Sequence, residues 1–269
     1  MIIDVHTHVF PDHIAVDLVP KMAADAGIKE ALDGRVSSLL ESMDAAGVDV
    51  SWLQPVATKP TQLQSVAKWM EEVRSDRFVT FGAFHPGYED LPGYIRDLSA
   101  RGFPGIKFHP EYQKIKPDDE SLFPMYETLV EENMVVLFHA GVDIEIPTLH
   151  STPDLFARFI ERFPNLKMIL AHMGGYEQWG DVARELAGCG DAVYLDTSYV
   201  LRHIPDDEFI NLVRAHGVDR VVFGTDSPWE SQQKDIDHLR SLPFSKEELD
   251  KILGLNAQRL LEGCGKSTG

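Results

Sequence analysis

Two histidines separated by a single residue, His6 and His8, follow a short run of Ile and Val at the start of the chain. Residues two apart on a β-strand point to the same side, so a strand here brings both imidazoles to one point. Neutral imidazoles held by rigid backbone form half of a site for zinc or another divalent metal. A lone His-x-His pair is more often an ordinary surface or core feature, so further residues are needed.

Other side chains that bind metals or move protons follow short apolar runs along the chain. Each run is typical of a strand, and the polar residues stand where the run ends. The strand ends then carry His6, His8, His85, Lys107, His109, His139, His172 and Asp226, which include six of the eleven histidines. Buried histidines need hydrogen-bonding partners, so such an accumulation indicates one shared site.

The order of elements predicts how these strand ends meet. Apolar runs alternate with segments of helical periodicity, and this gives eight strands whose ends are separated by 21 to 47 residues. About 250 residues arranged as eight βα units form a (β/α)8 TIM barrel, whose chemistry lies at the C-terminal ends of the strands. The alternative is an open doubly wound sheet, but no G-x-G-x-x-G turn follows the first strand.

Local patterns predict the individual elements. Segment 9–33, with three Pro and Gly breaks, is expected to be an irregular excursion of the kind that often forms a lid. Helices are expected over 34–46, 61–74, 91–100, 118–132, 176–187 and 206–216, and a capping box at Ser245 opens the last helix, which ends at Leu261. We expect one barrel domain over 1–262 and a loose tail over 263–269.

Composition narrows the class of function. The formal net charge of −18 argues against a nucleic-acid or anionic-membrane surface and favours a small-molecule substrate. No apolar run is long enough for a membrane span, and the chain opens without the pattern of a signal peptide. The two cysteines, Cys189 and Cys264, suggest neither a disulfide framework nor a thiolate zinc site. A cytoplasmic protein is expected, and homo-oligomer formation is left open.

Five motifs together resemble the amidohydrolase superfamily. They are D-V-H-T-H at 4–8, G-I-K-F-H-P at 105–110, L-F-H-A-G at 137–141, L-A-H-M-G-G at 170–175 and F-G-T-D-S-P-W at 223–229. The resemblance is to the branch of small amidohydrolase-related proteins that also contains aminocarboxymuconate-semialdehyde decarboxylase and related decarboxylases, and it covers the chain from Met1 to about Leu261.

The resemblance implies roles for particular residues. It makes His6, His8 and His139 ligands of a divalent metal, with zinc as the default and manganese or iron as alternatives. Asp226 would contact the metal and also accept a proton from metal-bound water. His172 would either bind a second metal or serve as a neutral acid or base that faces the substrate.

Lys107 has two interpretations. In binuclear members of the superfamily, a lysine at the end of strand 4 carries a carboxylate that bridges two metals, so one or two ions per chain are possible. An unmodified lysine would instead bind a substrate carboxylate. The G-x-K-x-H-P turn around Lys107 and His109 is not one that we associate with the mononuclear decarboxylases, and this favours hydrolysis.

We therefore expect a metal-dependent hydrolase in which activated water attacks an amide, lactone or similar carbonyl centre, with Asp226 as the general base. The first alternative is non-oxidative decarboxylation of an aromatic or enoic acid at the same metal site. The second is a barrel that binds a ligand without turnover, which would not need a base beside a metal.

The remaining polar and aromatic residues have weaker interpretations. Asp4 either orients one of the two histidines or pairs with the N-terminus. His85 either lines the substrate pocket with His109 or fills the barrel mouth, and Trp229 is either a wall of that pocket or an ordinary core residue. Arg202 and His203 are more simply solvated loop residues than an anion site, and surface positions are expected for His13, His216 and His238.

Overall fold

The structure, a computed structural model, describes residues 1–264; the expected tail therefore lies largely outside the described residues. Short parallel strands alternate with helices along this part of the chain. The strands are β1 Ile3–Thr7, β2 Val50–Leu53, β3 Phe78–Thr80, β4 Gly82–Ala83, β5 Gly105–Phe108, β6 Val135–Phe138, β7 Lys167–Leu170, β8 Val193–Asp196 and β9 Val221–Val222.

The strands close into a barrel. They pair in the orders β1-β2-β3 and β4-β5-β6-β7-β8-β9, always with sequential neighbours. Phe81, between β3 and β4, donates its N–H to Leu53 O at 3.1 Å, so these two segments form one interrupted strand beside β2. Val5 N donates to Phe223 O at 2.9 Å and joins β1 to the last strand. The predicted (β/α)8 barrel is thereby confirmed, because eight sequential parallel strands close on themselves.

Helices cover the outside of the barrel. They are α1 Asp12–Ala26, α2 Val36–Ala46, α3 Leu63–Val73, α4 Leu91–Ala100, α5 Pro110–Gln113, α6 Phe123–Glu131, α7 Pro153–Arg162, α8 Trp179–Glu185, α9 Asp206–His216, α10 Gln232–Ser241, α11 Lys246–Asp250 and α12 Asn256–Glu262. The capping box at Ser245 opens α11 as predicted, and a π-helical turn over Lys251–Leu255 joins α11 to α12.

Alternation along the strands divides the apolar residues into two layers. On β6, Val135 and Leu137 belong to the core inside the barrel, whereas Val136 and Phe138 pack against the surrounding helices. His139 continues the parity of Val135 and Leu137, so alternation directs its imidazole into the barrel mouth. The same alternation aims polar side chains from several strands at one region.

The expectation of an irregular excursion over 9–33 was wrong, because α1 forms a helix of 15 residues there. Its buried residues Ala15, Val19 and Ala23 recur every four positions, which is a helical stripe. The helix includes Pro20, and Gly27 ends it in the left-handed conformation. The proline and glycine residues suggested an irregular segment, and the two alanines of the stripe make its apolar pattern weak.

Two further expectations fail in the outer layer. The sequence analysis did not predict α10, although Ser231 caps it through its side chain. His216 is buried rather than on the surface, and its Nε2 donates to Val193 O at 3.1 Å while its Nδ1 accepts from Gly188 N. Burial lowers the pKa of His216 to about 4, so the ring is neutral near pH 7. Among residues 1–264, no helix has both the length and the apolar character required to cross a membrane.

Candidate active site

Three of the predicted metal ligands converge at the C-terminal end of the barrel. His8 Nε2 lies 3.0 Å from Asp226 Oδ1, and His6 Nε2 lies 3.4 Å from the same oxygen. One ring nitrogen from each of these two histidines and one carboxylate oxygen of Asp226 all lie within 4.8 Å of one another. We call His6, His8 and Asp226 the first donor group.

Hydrogen bonds on the far side of each ring fix the two imidazoles. His8 Nδ1 lies 2.6 Å from Gln54 O, so Nδ1 carries the proton and donates. His6 Nδ1 lies 2.9 Å from Asp196 Oδ2 and donates to that carboxylate. In both rings Nε2 therefore faces Asp226, which is the orientation that a metal ligand needs.

Asp226 is ionised in this arrangement. Burial acts to raise the pKa of Asp226, but His6, His8 and His172 outweigh burial and hold that pKa well below its usual range. Burial, with repulsion from Lys107, holds the pKa of His6 well below its ordinary value, so the carboxylate carries the charge of this coupled pair. Asp226 also adopts a left-handed backbone conformation, with φ of 65°, of the kind that concentrates at functional sites.

The first donor group fits a divalent cation. With its Nδ1 proton donated to Gln54 O, a neutral His8 would direct an Nε2 lone pair at Asp226 Oδ1, which lies 3.0 Å away. Two acceptors at this distance repel unless a cation or proton lies between them. Two imidazole nitrogens and one carboxylate oxygen form the donor set of zinc, manganese and iron sites.

Lys107 points into the barrel and is only 1% exposed. Its Nζ donates to His6 Nε2 at 2.9 Å. Burial lowers the pKa of Lys107 to about 8, although Asp226, Asp196 and Glu111 act to raise it. The ammonium therefore predominates at pH 7, with a substantial fraction of neutral amine somewhat above that pH.

His172 and His139 lie side by side next to the first donor group. His172 Nδ1 lies 2.8 Å from Ser198 O, which assigns its proton to Nδ1. His172 Nε2 lies 3.1 Å from His139 Nδ1, and the His172 and His6 ring centroids are 5.5 Å apart. With a neutral His172, whose Nε2 then accepts, His139 would carry its proton on Nδ1 and direct an Nε2 lone pair away from His172.

That lone pair belongs to a second cluster of possible ligands. His109, His139 and Asp143 also have candidate ligand atoms within 4.8 Å of one another. The His109 and His139 rings stack with centroids 4.2 Å apart, and Glu111 Oε2 lies 3.8 Å from His139 Nε2. We call His109, Glu111, His139 and Asp143 the second donor group. Here His139 lies with the second group, whereas the family resemblance made it a ligand beside His6 and His8.

Two of the tentative pocket residues, His85 and Trp229, belong to neither donor group. His85 is half-buried and its Nδ1 accepts from Gly87 N at 3.0 Å, which turns that nitrogen toward its own loop. Trp229 is half-buried and follows Asp226, to whose carbonyl it donates its backbone N–H. Their pocket roles stay predictions. Arg202 forms ion pairs with Glu230 and Asp235, so it is not simply solvated.

Asp4 does not pair with the N-terminus, and its contact with the two histidines is through the backbone, because Asp4 Oδ1 accepts from His6 N at 3.2 Å. Its carboxylate accepts from Thr225 N, Thr225 Oγ1 and Gln232 Nε2, while the N-terminus lies near Asp49 instead. The β1–β2 register shifts between Asp4 and Thr7, so simple alternation fails there. Asp4 thus joins β1 to α10 and contacts no imidazole among its recorded hydrogen bonds.

The sequence analysis missed several residues that orient the site. Asp196 is fully buried; its Oδ2 accepts from His6 Nδ1, and its Oδ1 accepts from the backbone N–H of His172 and from Ser198. Its position at the end of β8 was a usable clue, because the other strand ends provided the site. Glu111 lies in the short helix α5 and Asp143 in a loop, so no strand alternation marks either of them.

Comparison with known proteins agrees with this architecture. The family model described as Amidohydrolase matches residues 3–263. The chain is 23% identical to a 2-amino-3-carboxymuconate-6-semialdehyde decarboxylase from Dictyostelium discoideum over 331 aligned positions, which cover 96% of this chain and 91% of that protein.

Two similar solved structures illustrate the range of this fold. A dihydroxybenzoic acid decarboxylase from Polaromonas sp. JS666 with bound manganese has a TM-score of 0.72 and 18% identity, with 97% of this chain and 96% of that one covered. A 4-oxalomesaconate hydratase from Rhodopseudomonas palustris has a TM-score of 0.65 and 17% identity, with 98% and 96% covered. At these identities the likeness shows the fold alone. The match of the family model over 3–263, on a closed barrel with a metal-type donor group at its mouth, shows that the chain belongs to the amidohydrolase family.

Proposed function

We propose that this protein is a metal-dependent decarboxylase that releases carbon dioxide non-oxidatively from a small aromatic or enoic acid. In this proposal His6, His8 and Asp226 hold a divalent cation, zinc or manganese, with His139 as the further ligand expected from the family motifs. The names of the decarboxylases above support this reaction over the hydrolysis that the G-x-K-x-H-P turn favoured.

The observation that carries the proposal is a basic side chain, Lys107, buried at the site with its Nζ 2.9 Å from His6 Nε2. A neutral amide or lactone needs no positive charge there, whereas an acid substrate does. His6 Nε2 has one lone pair, so it can serve Lys107 or a cation but not both. A cation on His6 would therefore free the Lys107 ammonium to bind the substrate carboxylate.

The chain's own residues would then manage one proton. When bound, the cation would hold a substrate oxygen and stabilise the negative charge that develops on the substrate as the carboxyl group leaves. The bond to the carboxyl carbon breaks, its electron pair stays on the remaining carbon, and that carbon takes up a proton. Asp226, ionised in the free protein, would receive a proton from the substrate hydroxyl or solvent and deliver it, with His172 as the alternative.

The test uses acids labelled with carbon-13 in the carboxyl group, namely hydroxybenzoates and carboxymuconate-type acids, with protein loaded with zinc or manganese. Labelled carbon dioxide is expected, and its absence from every acid would refute decarboxylation of these classes. Lys107→Met should lower kcat/KM by about 10- to 100-fold, mainly through KM, since a charge-assisted hydrogen bond is lost. Lys116→Met, which alters an exposed lysine, is the matched control.

Hydrolysis is the second candidate, and the ionised state of Asp226 favours it. A carboxylate beside a cation site is the base that water activation requires. Amide and lactone substrates, assayed beside the labelled acids, separate the two reactions: acid release without labelled carbon dioxide would favour hydrolysis.

A further inference from the structure

Four rings form a continuous row that begins at the candidate active site. Tyr176 lies next to His172, with ring centroids 6.2 Å apart, and Tyr199 lies next to Tyr176, with centroids 5.6 Å apart. His203 ends the row and stacks on Tyr199, with centroids 4.4 Å apart and ring planes 15° apart. We call His172, Tyr176, Tyr199 and His203 the aromatic row. Because His172 is the alternative proton carrier, the row begins where a substrate would react.

The backbone fixes both tyrosines of the row. Tyr176 N donates to Ala140 O at 2.9 Å, and Tyr176 O accepts from Val142 N at 3.1 Å, so Tyr176 is fastened to the segment that follows β6. Tyr199 directly follows Ser198, whose hydroxyl and carbonyl contact imidazoles of the site. Tyr199 also has a left-handed φ of 54°, which is uncommon for a residue with a side chain of this size. Such conformations concentrate at active sites and ligand clamps.

The hydroxyl groups of the two tyrosines have no protein partner. Within residues 1–264 neither hydroxyl forms a hydrogen bond with another residue, although Tyr176 and Tyr199 are each only 8% exposed. Tyr126, which is also buried, instead donates its hydroxyl to Pro117 O at 2.9 Å. Neither of the two unpaired oxygens is fully enclosed, so both reach solvent. Tyrosine hydroxyls usually find a partner when the ring is buried, and here solvent or a ligand must supply it.

Tyr199 is well placed to donate to a substrate. Burial raises the pKa of Tyr199 to about 12, with Tyr176 and Asp226 adding to the rise and Arg202 opposing it, so the hydroxyl keeps its proton near pH 7. Lys107 lies on β5 and Tyr199 follows β8, three strands further along the barrel, so the two residues stand on different sides of its mouth. A substrate whose carboxylate is held by Lys107 can therefore present its other end to Tyr199.

We propose that the substrate is a planar conjugated acid that packs against the aromatic row and that carries, away from its leaving carboxylate, a polar group that accepts a hydrogen bond from the Tyr199 hydroxyl. Tyr199 then determines specificity and takes no part in the bond-breaking step. The inference rests on the proposed function only in taking the substrate to be an acid. It concerns binding, so equilibrium measurements test it without turnover.

The experiment measures dissociation constants by calorimetry on full-length, zinc-loaded protein. The probes are 3-hydroxybenzoate, benzoate and cyclohexanecarboxylate. The wild-type protein should bind 3-hydroxybenzoate about 3- to 10-fold more tightly than benzoate, because the remote oxygen gains a hydrogen bond. Benzoate should bind about 3-fold or more tightly than cyclohexanecarboxylate, which is not planar and cannot stack on aromatic rings. Equal affinities for 3-hydroxybenzoate and benzoate, or no binding of either, would overturn the proposal.

Tyr199→Phe keeps the ring and removes only the hydroxyl. Its affinity for 3-hydroxybenzoate should fall about 3- to 10-fold, to the value for benzoate, while its affinity for benzoate should stay unchanged. Tyr94→Phe is the matched control, because the Tyr94 hydroxyl lies on α4 in the outer layer and faces Leu63 O. That variant should keep the wild-type preference. A preference that survives in Tyr199→Phe would refute the contact.

Two further readouts separate the possible causes of failure. Melting temperatures of the same samples detect a merely structural Tyr199, whose loss would lower stability and weaken all three probes alike, and that result would overturn the proposal. The carbon dioxide assay tests the reaction separately. Binding that depends on the Tyr199 hydroxyl, without labelled carbon dioxide from any acid, would support this inference and refute decarboxylation. Labelled carbon dioxide with an unchanged preference in Tyr199→Phe would refute this inference alone.

Discussion

At the scale of single residues, the first donor group depends on where each proton lies. Gln54 O and Asp196 Oδ2 hold the protons of His8 and His6 on Nδ1, so both Nε2 atoms face Asp226, where a cation would bind. Asp226 completes the group as a carboxylate whose charge would be costly to bury alone. Substitutions that keep size while changing charge are therefore the most informative.

Asp226→Asn should separate metal binding from turnover. Asparagine keeps the size and one coordinating oxygen but cannot act as a base. Metal content should fall modestly, while turnover should fall about 10²-fold or more. Metal per chain, melting temperature and turnover are measured on one sample. A variant with near-normal turnover, or with metal, stability and activity lost in proportion, would contradict the role of Asp226.

Asp196→Asn tests a residue that acts through its neighbours. Its carboxylate accepts from His6 Nδ1 and from the backbone N–H of His172, so it positions both rings. Loss of such support should weaken metal affinity about 10- to 100-fold. Metal titration measures the effect, and Asp191→Asn, at an exposed site just before β8, serves as the control. Unchanged affinity would show that Asp196 does not orient His6.

At the scale of elements, α10 is tied to the barrel by polar contacts that the sequence analysis did not anticipate. Gln232, on α10, donates to Asp4 Oδ2 at 2.9 Å and accepts from Ser42 Oγ of α2. Because Asp4 is fully buried, its carboxylate relies on such donors. The helix thus supports the strand that carries His6.

Gln232→Ala should destabilise the protein by about 1–3 kcal/mol, since it leaves buried polar groups without a partner. Urea unfolding measures the change. Gln233→Ala, one residue along the same helix but exposed, should shift stability by less than about 0.5 kcal/mol. Similar losses in both variants would mean that helix propensity, and not the buried contact, determines the result.

At the scale of the whole molecule, the net charge of −18 includes buried carboxylates that titrate near neutrality. Burial raises the pKa of Asp235 to about 7, although Arg202 acts to lower it. The folded pKa exceeds the unfolded value of about 3.9, so between these values the folded state binds more protons. The contribution of Asp235 to stability is therefore full below about pH 4 and is lost as pH rises through 7. Buried histidines such as His216 have the opposite effect below about pH 6.5.

The comparison of Asp235→Asn with wild type isolates this contribution. The variant's stability relative to wild type should increase as pH rises from about 4 to about 7, because only the wild type loses its proton. Urea midpoints of metal-free protein across that range provide the measurement, with Asp237→Asn on the same helix as an exposed control. A constant or decreasing difference would show that Asp235 does not titrate in this way.

Much of the fold could be predicted from the sequence, because alternation of apolar runs with helical patterns is a local property. Alternation along each strand also identified the candidate site residues at the strand ends. The side to which such a side chain points depends only on its position in that strand. Prediction failed at α1, where small residues gave a weak stripe, and at Asp4, where a register shift between β1 and β2 overrides alternation.

The sequence by itself determined that His6, His8, His139, His172, Lys107 and Asp226 come to one end of a barrel. Tertiary structure decided which of them meet: it groups His6 and His8 with Asp226, and His139 with His109, Glu111 and Asp143. It also decided the protonated nitrogen of each ring, through carbonyl and carboxylate partners such as Gln54, Ser198 and Asp196. Those partners lie 26 to 190 positions away in the chain, so barrel closure, and no local pattern, brings them within hydrogen-bonding distance.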